Sequence, residues 1–358
     1  MKYGVVAHHY WDRAGGGQLV CAAAARAFDS AGYRPVLASV PAFRNRGRYV
    51  EWFGIDLSEY EVVTLVNLKL RAFGIYLRLF VWVPMERAIE KYSPEVVFTD
   101  ECTYRPVEDS LKKVRFVEYI HFPFEVAVDR RFRGLGLYYG EDQYVAERYG
   151  RFPMNAYWWL FTKLLPKFIR SNPFEVASAV LANSRWTAEL AKQVYGERPE
   201  VLNPPLPPNV EVVSEPKPFE GRTNSVVMLG RFSEEKRYHW VVKEVLPKLR
   251  REVGDVKLYV VGSAGTRTSY LYVSKVETLA RKTGFRVSRT LSEESDVYLI
   301  TDAPRETIKN VMDSSKAFLH ATVNEHWGIA AAEAMARGLP VVVHRSGGTW
   351  SDLVNEGR

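Results

Sequence analysis

Two carboxylates, Glu325 and Glu333, stand eight positions apart in the stretch NEHWGIAAAEAMARG, separated mainly by small apolar residues. The preceding KAFLHAT reads as a strand and GIAAAEAMA as a helix stopped by Gly338 and Pro340, the residue types that terminate helices. Glu325 then falls in a strand-to-helix turn, beside the unpaired N–H groups of a helix start, which suit a phosphate. Glu333 falls inside the helix, where a carboxylate among apolar neighbours needs partners. The paired hydroxyls of a ribose would supply them. The plainer alternative is an acid near the helix start and a core glutamate held by a salt bridge.

Three further clusters carry possible chemistry. In MLGRFSEEKRYHWVV, Arg231 and Lys236 are five apart across a turn that follows a strand. A guanidinium and an ammonium converging there would clamp a diphosphate; the alternative is two solvated bases beside Glu234 and Glu235. In HHYWDRAGGGQLVCAAAARAF, Gly15, Gly16 and Gly17 precede an Ala-rich helix expected from about Gln18. Backbone amides of such a turn can approach a phosphate. It is not a dinucleotide fingerprint, because Val20 occupies the third glycine position. In VEYIHFPFE, His121 ends an apolar strand, either facing a cleft or as a structural histidine. His8 and His9 lie near a strand end too, and the sequence does not say which points inward.

The elements that must position these groups alternate. Strand candidates YGVVAHH, RPVLASV, EVVTLV, EVVFTD, VRFVEYI and ASAVLANS are followed by the proline-rich NPPLPPNVEVVSEPKPFEGRTN and then by SVVMLGRF, VKLYVVGS, DVYLITDAP, AFLHAT and LPVVVHRS. Strands alternating with helices imply parallel sheets covered on both faces. The expected organisation is α/β, with two Rossmann-like domains facing a cleft: residues 1–202, a linker at 203–224, and residues 225–358. Ligands of such sheets sit beyond the carboxyl ends of the strands, where all four clusters fall.

Composition narrows the function classes. The chain of 358 residues is 47% hydrophobic and 25% charged, which is globular and long enough for two cores. A net charge of +7 from 49 basic and 42 acidic residues favours an anionic ligand or lipid surface. With no basic run or zinc-finger spacing, a nucleic-acid partner is not expected. Cys21 and Cys102 give no disulfide framework, pointing to a reducing cytoplasm. No signal-peptide pattern or spanning segment is read. Residues 69–91 and 151–170 mix aromatics and aliphatics with Lys and Arg, the second carrying Arg151, Lys163, Lys167 and Arg170 without an acid. Such stretches suit a membrane interface or an ordinary packed helix with snorkelling bases.

AGGGQ, GRFSEEK, the E-x7-E stretch EHWGIAAAE and HRSGG resemble, in order, the retaining GT-B glycosyltransferases of family 4. More narrowly, AGGGQ, YIHFPFE, ANSRWT, NPP, RFSEEK, NEHWGI and HRSGG together, through most of the chain, are similar to the branch that adds mannose from GDP-mannose to dolichol-linked oligosaccharides. The resemblance implies that Arg231 and Lys236 hold the donor diphosphate, that Glu333 binds the nucleoside ribose, and that Glu325 sits by the transferred sugar. Backbone amides at Trp327, Gly328 and Ile329 would contact sugar or phosphate. Gly16 and Gly17 would close on the diphosphate from the other domain, and His121 would lie near the reacting carbon or acceptor. It further implies retention of configuration, a nucleotide-sugar substrate (GDP-mannose or a UDP-sugar) and a lipid-linked glycan acceptor. It implies neither metal nor cofactor. A cytoplasmic enzyme peripheral at the inner membrane face follows. The family pattern continues beyond DLVNEGR into a crossover segment not present in these 358 residues. Alternatives are an epimerase or phosphorylase on the same fold, an NAD-dependent dehydrogenase, or a non-catalytic partner that binds a lipid-linked glycan.

Overall fold

The β-branched runs become strands and the longer amphipathic stretches become helices in a computed structural model that describes residues 2–68, 74–134, 137–139, 141 and 149–354. The chain divides into two compact units, Met1–Asn209 and Val210–Arg358. The proline-rich stretch straddles that division. Residues after it pack on the second unit: the Val213 N–H donates to the Ala336 carbonyl at 2.9 Å, and the Arg222 guanidinium donates to the carbonyls of Ser315 and Gly338.

The first unit is built on β1 (Tyr3–His8), β2 (Arg34–Ser39), β3 (Glu61–Thr64), β4 (Val96–Thr99), β5 (Arg115–Ile120), β6 (Ala179–Ala182) and β7 (Glu200–Val201). They form one sheet in the order β3-β2-β1-β4-β5-β6-β7, every pairing parallel. Helix α1 (Gly16–Ser30) follows β1, and α2 (Trp82–Tyr92) packs Met85 and Ala88 against Val5, Val36 and Val97 of the sheet. Two glycines expected to precede α1 instead form its first turn, with extended Gly15 as the cap. Beyond β5, α3 (Met154–Leu164) buries Phe161 with Leu79 and Leu165, and α4 (Arg185–Tyr195) begins at Ser184, whose hydroxyl caps the Thr187 N–H.

The second unit contains β8 (Thr223–Leu229), β9 (Lys257–Gly262), β10 (Val287–Ser288), β11 (Val297–Thr301), β12 (Ser315–His320) and β13 (Val341–Val343), parallel in the order β10-β11-β9-β8-β12-β13. Its strands bury both faces, so their apolar residues are continuous and serve two cores by alternation. Leu258, Val260 and Met228 join Val273 and Val276 of α5 (Arg267–Lys282) on one side. Val227, Val261 and Phe318 meet Val311 of α6 (Arg305–Ser314) and Ala331 and Ala334 of α7 (Ile329–Ala336) on the other. The alanines of α7 bring that helix onto the sheet, as their small volume allows.

Candidate functional site

Sheet order decides what meets. Because β8 lies beside β12 and β12 beside β13, the turns after these three strands share one edge of the second unit. Lys236, in the turn after β8, places Nζ 2.6 Å from Glu325 Oε2. His320, the last residue of β12, places Nε2 2.9 Å from the same oxygen. Burial raises the Glu325 pKa, but Lys236 and His320 outweigh it and hold the carboxyl well below its usual range. An ionised carboxylate accepts only, so His320 Nε2 carries the hydrogen of that bond. Arg231 is more open. Its guanidinium is mostly exposed and pairs with Glu235 at 3.1 Å, four residues on. The sequence pair therefore splits into one solvated base and one nearly buried base, which holds the acid from the motif.

The HRSGG stretch shapes this turn with backbone. Gly347 has φ +75, and a Cβ there would lie 2.2 Å from the Glu325 carbonyl oxygen, so only glycine fits. The Gly348 N–H donates to that oxygen at 2.7 Å, and the Ser346 hydroxyl accepts from the Asn324 N–H at 2.8 Å. Gly328, also left-handed, caps α7, whose first residue is Ile329; Trp327 just before it is buried. Further along α7, Glu333 is buried with the Arg305 guanidinium of α6 3.0 Å from its Oε2. Burial raises this carboxyl's pKa more than Arg305 lowers it. Neither His320 nor Arg305 is singled out by sequence reasoning. His320 looks like one more residue of an apolar strand, and Arg305 belongs to a separate helix.

In the first unit β4 lies between β1 and β5, so the residues just past these strands converge. Asp100, immediately after β4, takes His8 Nδ1 at 2.7 Å on one oxygen and His121 Nε2 at 3.0 Å on the other. Its neighbour Glu101 contacts the His9 Nδ1 and accepts from Arg78 at 3.0 Å. Burial raises both carboxyl pKa values; His8 and His121 outweigh it for Asp100, as Arg78 and His9 do for Glu101, so both are lowered. Burial takes His9 down to about 4, and it stands as the neutral imidazole. His8 is buried too, and Gln18 of α1 sits 3.0 Å from its Nε2. His121 is the one partly exposed imidazole of the Asp100 pair. A Cβ on Gly17 would lie 2.8 Å from Asp100 Oδ2, so this glycine makes room for the cluster, while Gly16 is exposed. The sequence reading reached His121, Gly16 and Gly17 but not Asp100, Glu101 or Arg78. The FTDE at the end of β4 was the available signal.

The two aromatic-basic stretches part ways. Residues 69–73 of the first lie outside the described residues, and the rest buries Leu77, Leu79, Val81 and Met85 in the domain. In the second, Phe152, Trp159 and Leu160 are 83%, 60% and 45% exposed, beside exposed Arg151, Lys163 and Lys167. Arg170 corrects the expectation of a fourth surface base. It is buried, bonded to Glu118 at 2.8 Å and to Glu125 at 2.6 Å, with Tyr195 at 2.9 Å. Among the described residues, no helix is long and apolar enough to cross a membrane.

Residues 210–358 match the family described as glycosyl transferases group 1. Among curated relatives, the GDP-Man:Man(3)GlcNAc(2)-PP-Dol alpha-1,2-mannosyltransferase of Candida glabrata is 26% identical over 317 residues, covering 86% of this chain and 56% of its own. The protein of the same name from Homo sapiens is 25% identical over 207 residues, 55% of this chain and 39% of its own. The match thus spans 56% of the length of the first of these relatives and 39% of the second. Among solved structures, sucrose-phosphate synthase from Thermosynechococcus elongatus matches with a TM-score of 0.59 at 15% identity, covering 98% of this chain and 82% of its own. WaaG, a glycosyltransferase involved in lipopolysaccharide biosynthesis, matches with a TM-score of 0.58 at 12% identity, covering 99% and 84%. At these identities the structural likeness establishes the fold, two parallel-sheet α/β domains of the GT-B class.

Proposed function

We propose that this chain, whose residues 210–358 match the glycosyl transferases group 1, transfers a hexose, mannose by preference, from a nucleoside diphosphate to a lipid-linked glycan. The observation that carries the proposal is the meeting of Lys236, Glu325 and His320 at the carboxyl ends of adjacent strands, in the family-matched unit. Departure of a nucleoside diphosphate builds negative charge on the leaving oxygen, and fixed donors must meet it. Arg231 and Lys236 supply cations for that charge, and the amides at Trp327, Gly328 and Ile329 supply oriented N–H groups. Glu325 receives hydroxyls of the transferred sugar. Glu333 receives the ribose hydroxyls, with Arg305 balancing its charge.

The first unit contributes Gly16, Gly17 and His121, the imidazole held in one orientation by Asp100. In this reading the reaction retains configuration at the sugar and needs no metal. His8, His9 and Glu101, and likewise His8, Cys21 and Asp100, are the sets to watch, since the ligand atoms within each set all lie within 4.8 Å of one another. Loss of transfer in EDTA, restored by a divalent cation, would overturn metal independence. The relatives' names support GDP-mannose as donor and a dolichol pyrophosphate oligosaccharide as acceptor class.

Contact with a membrane falls to residues 151–170. Exposed Phe152, Trp159 and Leu160 flanked by bases suit an anionic interface, and a peripheral enzyme on the cytoplasmic face follows. Failure to sediment with anionic liposomes at low salt would remove that part. The primary test is titration calorimetry with GDP, UDP, ADP and NAD in EDTA, on the wild type and Arg231→Ala. Binding of one diphosphate, weakened in the variant, is expected. A preference for UDP would move the donor away from GDP-mannose, and binding of NAD alone would end the reading.

A further inference from the structure

The Lys236–Glu325 contact poses a problem for any anionic ligand. A phosphate entering the site must compete for Lys236 with a carboxylate that already holds it at 2.6 Å. If Lys236 turns to the phosphate, Glu325 loses the cation that keeps it ionised in a largely buried turn. Leaving a buried carboxylate without its partner is costly, so some group must balance it.

We propose that His320 is this group: a positioning residue that keeps Glu325 in place and takes up a proton when the donor phosphate draws Lys236 away. The proposal rests on the nucleotide-sugar reading of the site. His320 is buried at the end of β12, stacked on Phe318, with its Nε2–H directed at the oxygen that Lys236 also contacts. Nε2 already carries hydrogen, so the incoming proton, supplied by solvent, adds to Nδ1 and breaks no bond. Glu325 and Lys236 face the ring on the shared-oxygen side. From the turn after β8, Arg237 reaches the Ala321 carbonyl next in the chain at 3.4 Å. From the end of β13, His344 donates its N–H to the His320 carbonyl at 3.3 Å and turns its ring to Ser346. Of these groups, His320 alone both touches Glu325 and is able to gain positive charge there. Holding Oε2 from the strand side, it also keeps Glu325 from following the lysine.

The test is calorimetry of GDP binding to the full chain at neutral pH, in two buffers of different ionisation heat, which counts protons exchanged. The wild type is compared with His320→Gln, whose amide keeps the hydrogen bond to Glu325 but cannot take a proton. Subtracting the variant removes the nucleotide's own ionisation. The expected result is that the wild type takes up a substantial fraction of one proton more than the variant. Glu325→Gln provides an independent arm. With no carboxylate competing, Lys236 is free, GDP binds several-fold tighter, and the extra proton disappears. Equal proton counts in wild type and His320→Gln, or unchanged GDP affinity and proton count in Glu325→Gln, would overturn the role of His320 alone. If no nucleoside diphosphate binds the wild type, the nucleotide-sugar reading falls and takes this proposal with it.

Discussion

Both units gather charged side chains just past the carboxyl ends of adjacent parallel strands, but they finish the job differently. In the first, Asp100 and Glu101 each have two internal partners, and His121 is the most exposed imidazole of the cluster. In the second, Arg231 stands largely in solvent and Lys236 is held by an acid whose proposed work is elsewhere. The first arrangement is closed and presents one oriented group. The second must partly come apart when a ligand arrives. Buried ion pairs have this double character: they are costly to break by deletion, yet exchangeable when an incoming anion replaces the lost partner.

Substitutions can break that contrast. The largest effect is expected from Asp100→Ala, which leaves two imidazoles and a dense charge cluster unbalanced. It should lower stability by about 3–5 kcal/mol, measured by denaturant unfolding; a change within experimental scatter would mean the first unit is as loosely arranged as the second. Acid should expose the same difference. Burial holds the His9 imidazole down at about 4, below its ordinary value of 6.5. Its stabilising contribution is thus present above 6.5 and lost as pH falls toward 4, by at most about 3 kcal/mol. Glu325, also depressed, keeps its contribution until the pH falls below the ordinary glutamate value of 4.5. A His9→Phe variant should flatten the stability profile between these limits, and an unchanged profile would remove His9 as the cause.

Smaller effects sharpen the contrast from the other side. Arg231→Ala should cost about 1.5–3 kcal/mol of diphosphate affinity, as expected for charged hydrogen bonds, while stability moves by about 0.5 kcal/mol or less. A large loss of stability without loss of affinity would make Arg231 structural. Gly17→Ala forces a methyl against Asp100 and should destabilise by about 1–3 kcal/mol. Turnover should fall further than stability alone explains if His121 is displaced. Normal turnover in a destabilised protein would confine Gly17 to packing.

What could be read from sequence follows from how each cluster is assembled. Glu325, Glu333, Gly328 and the helix between them lie within one local stretch, so a spacing argument reaches them. Alternating strands and helices disclosed two parallel α/β domains for the same reason. The first-unit cluster is assembled from positions 92 residues apart, as in His8 with Asp100. Only the strand order brings them together, and the sequence alone does not give that order. Arg170 was misplaced because a base in an aromatic stretch looks like a surface base. Its acids, Glu118 and Glu125, sit on other elements. His320 was overlooked because a histidine closing an apolar strand has no local signature.

The loop after β13 touches Glu325 through backbone alone: a glycine Cα pressed on a carbonyl, and one amide donating to it. It therefore works as a gauge block, setting a distance without offering a reactive group. For protein engineering this separates two kinds of freedom. Side chains around the acid can be exchanged to change what is recognised, while the depth at which the acid sits is fixed by a contact with no side chain to vary. Redesigned specificity on this scaffold should come from His320, Arg305 or Arg231, and lengthening the glycine loop should blur every ligand alike.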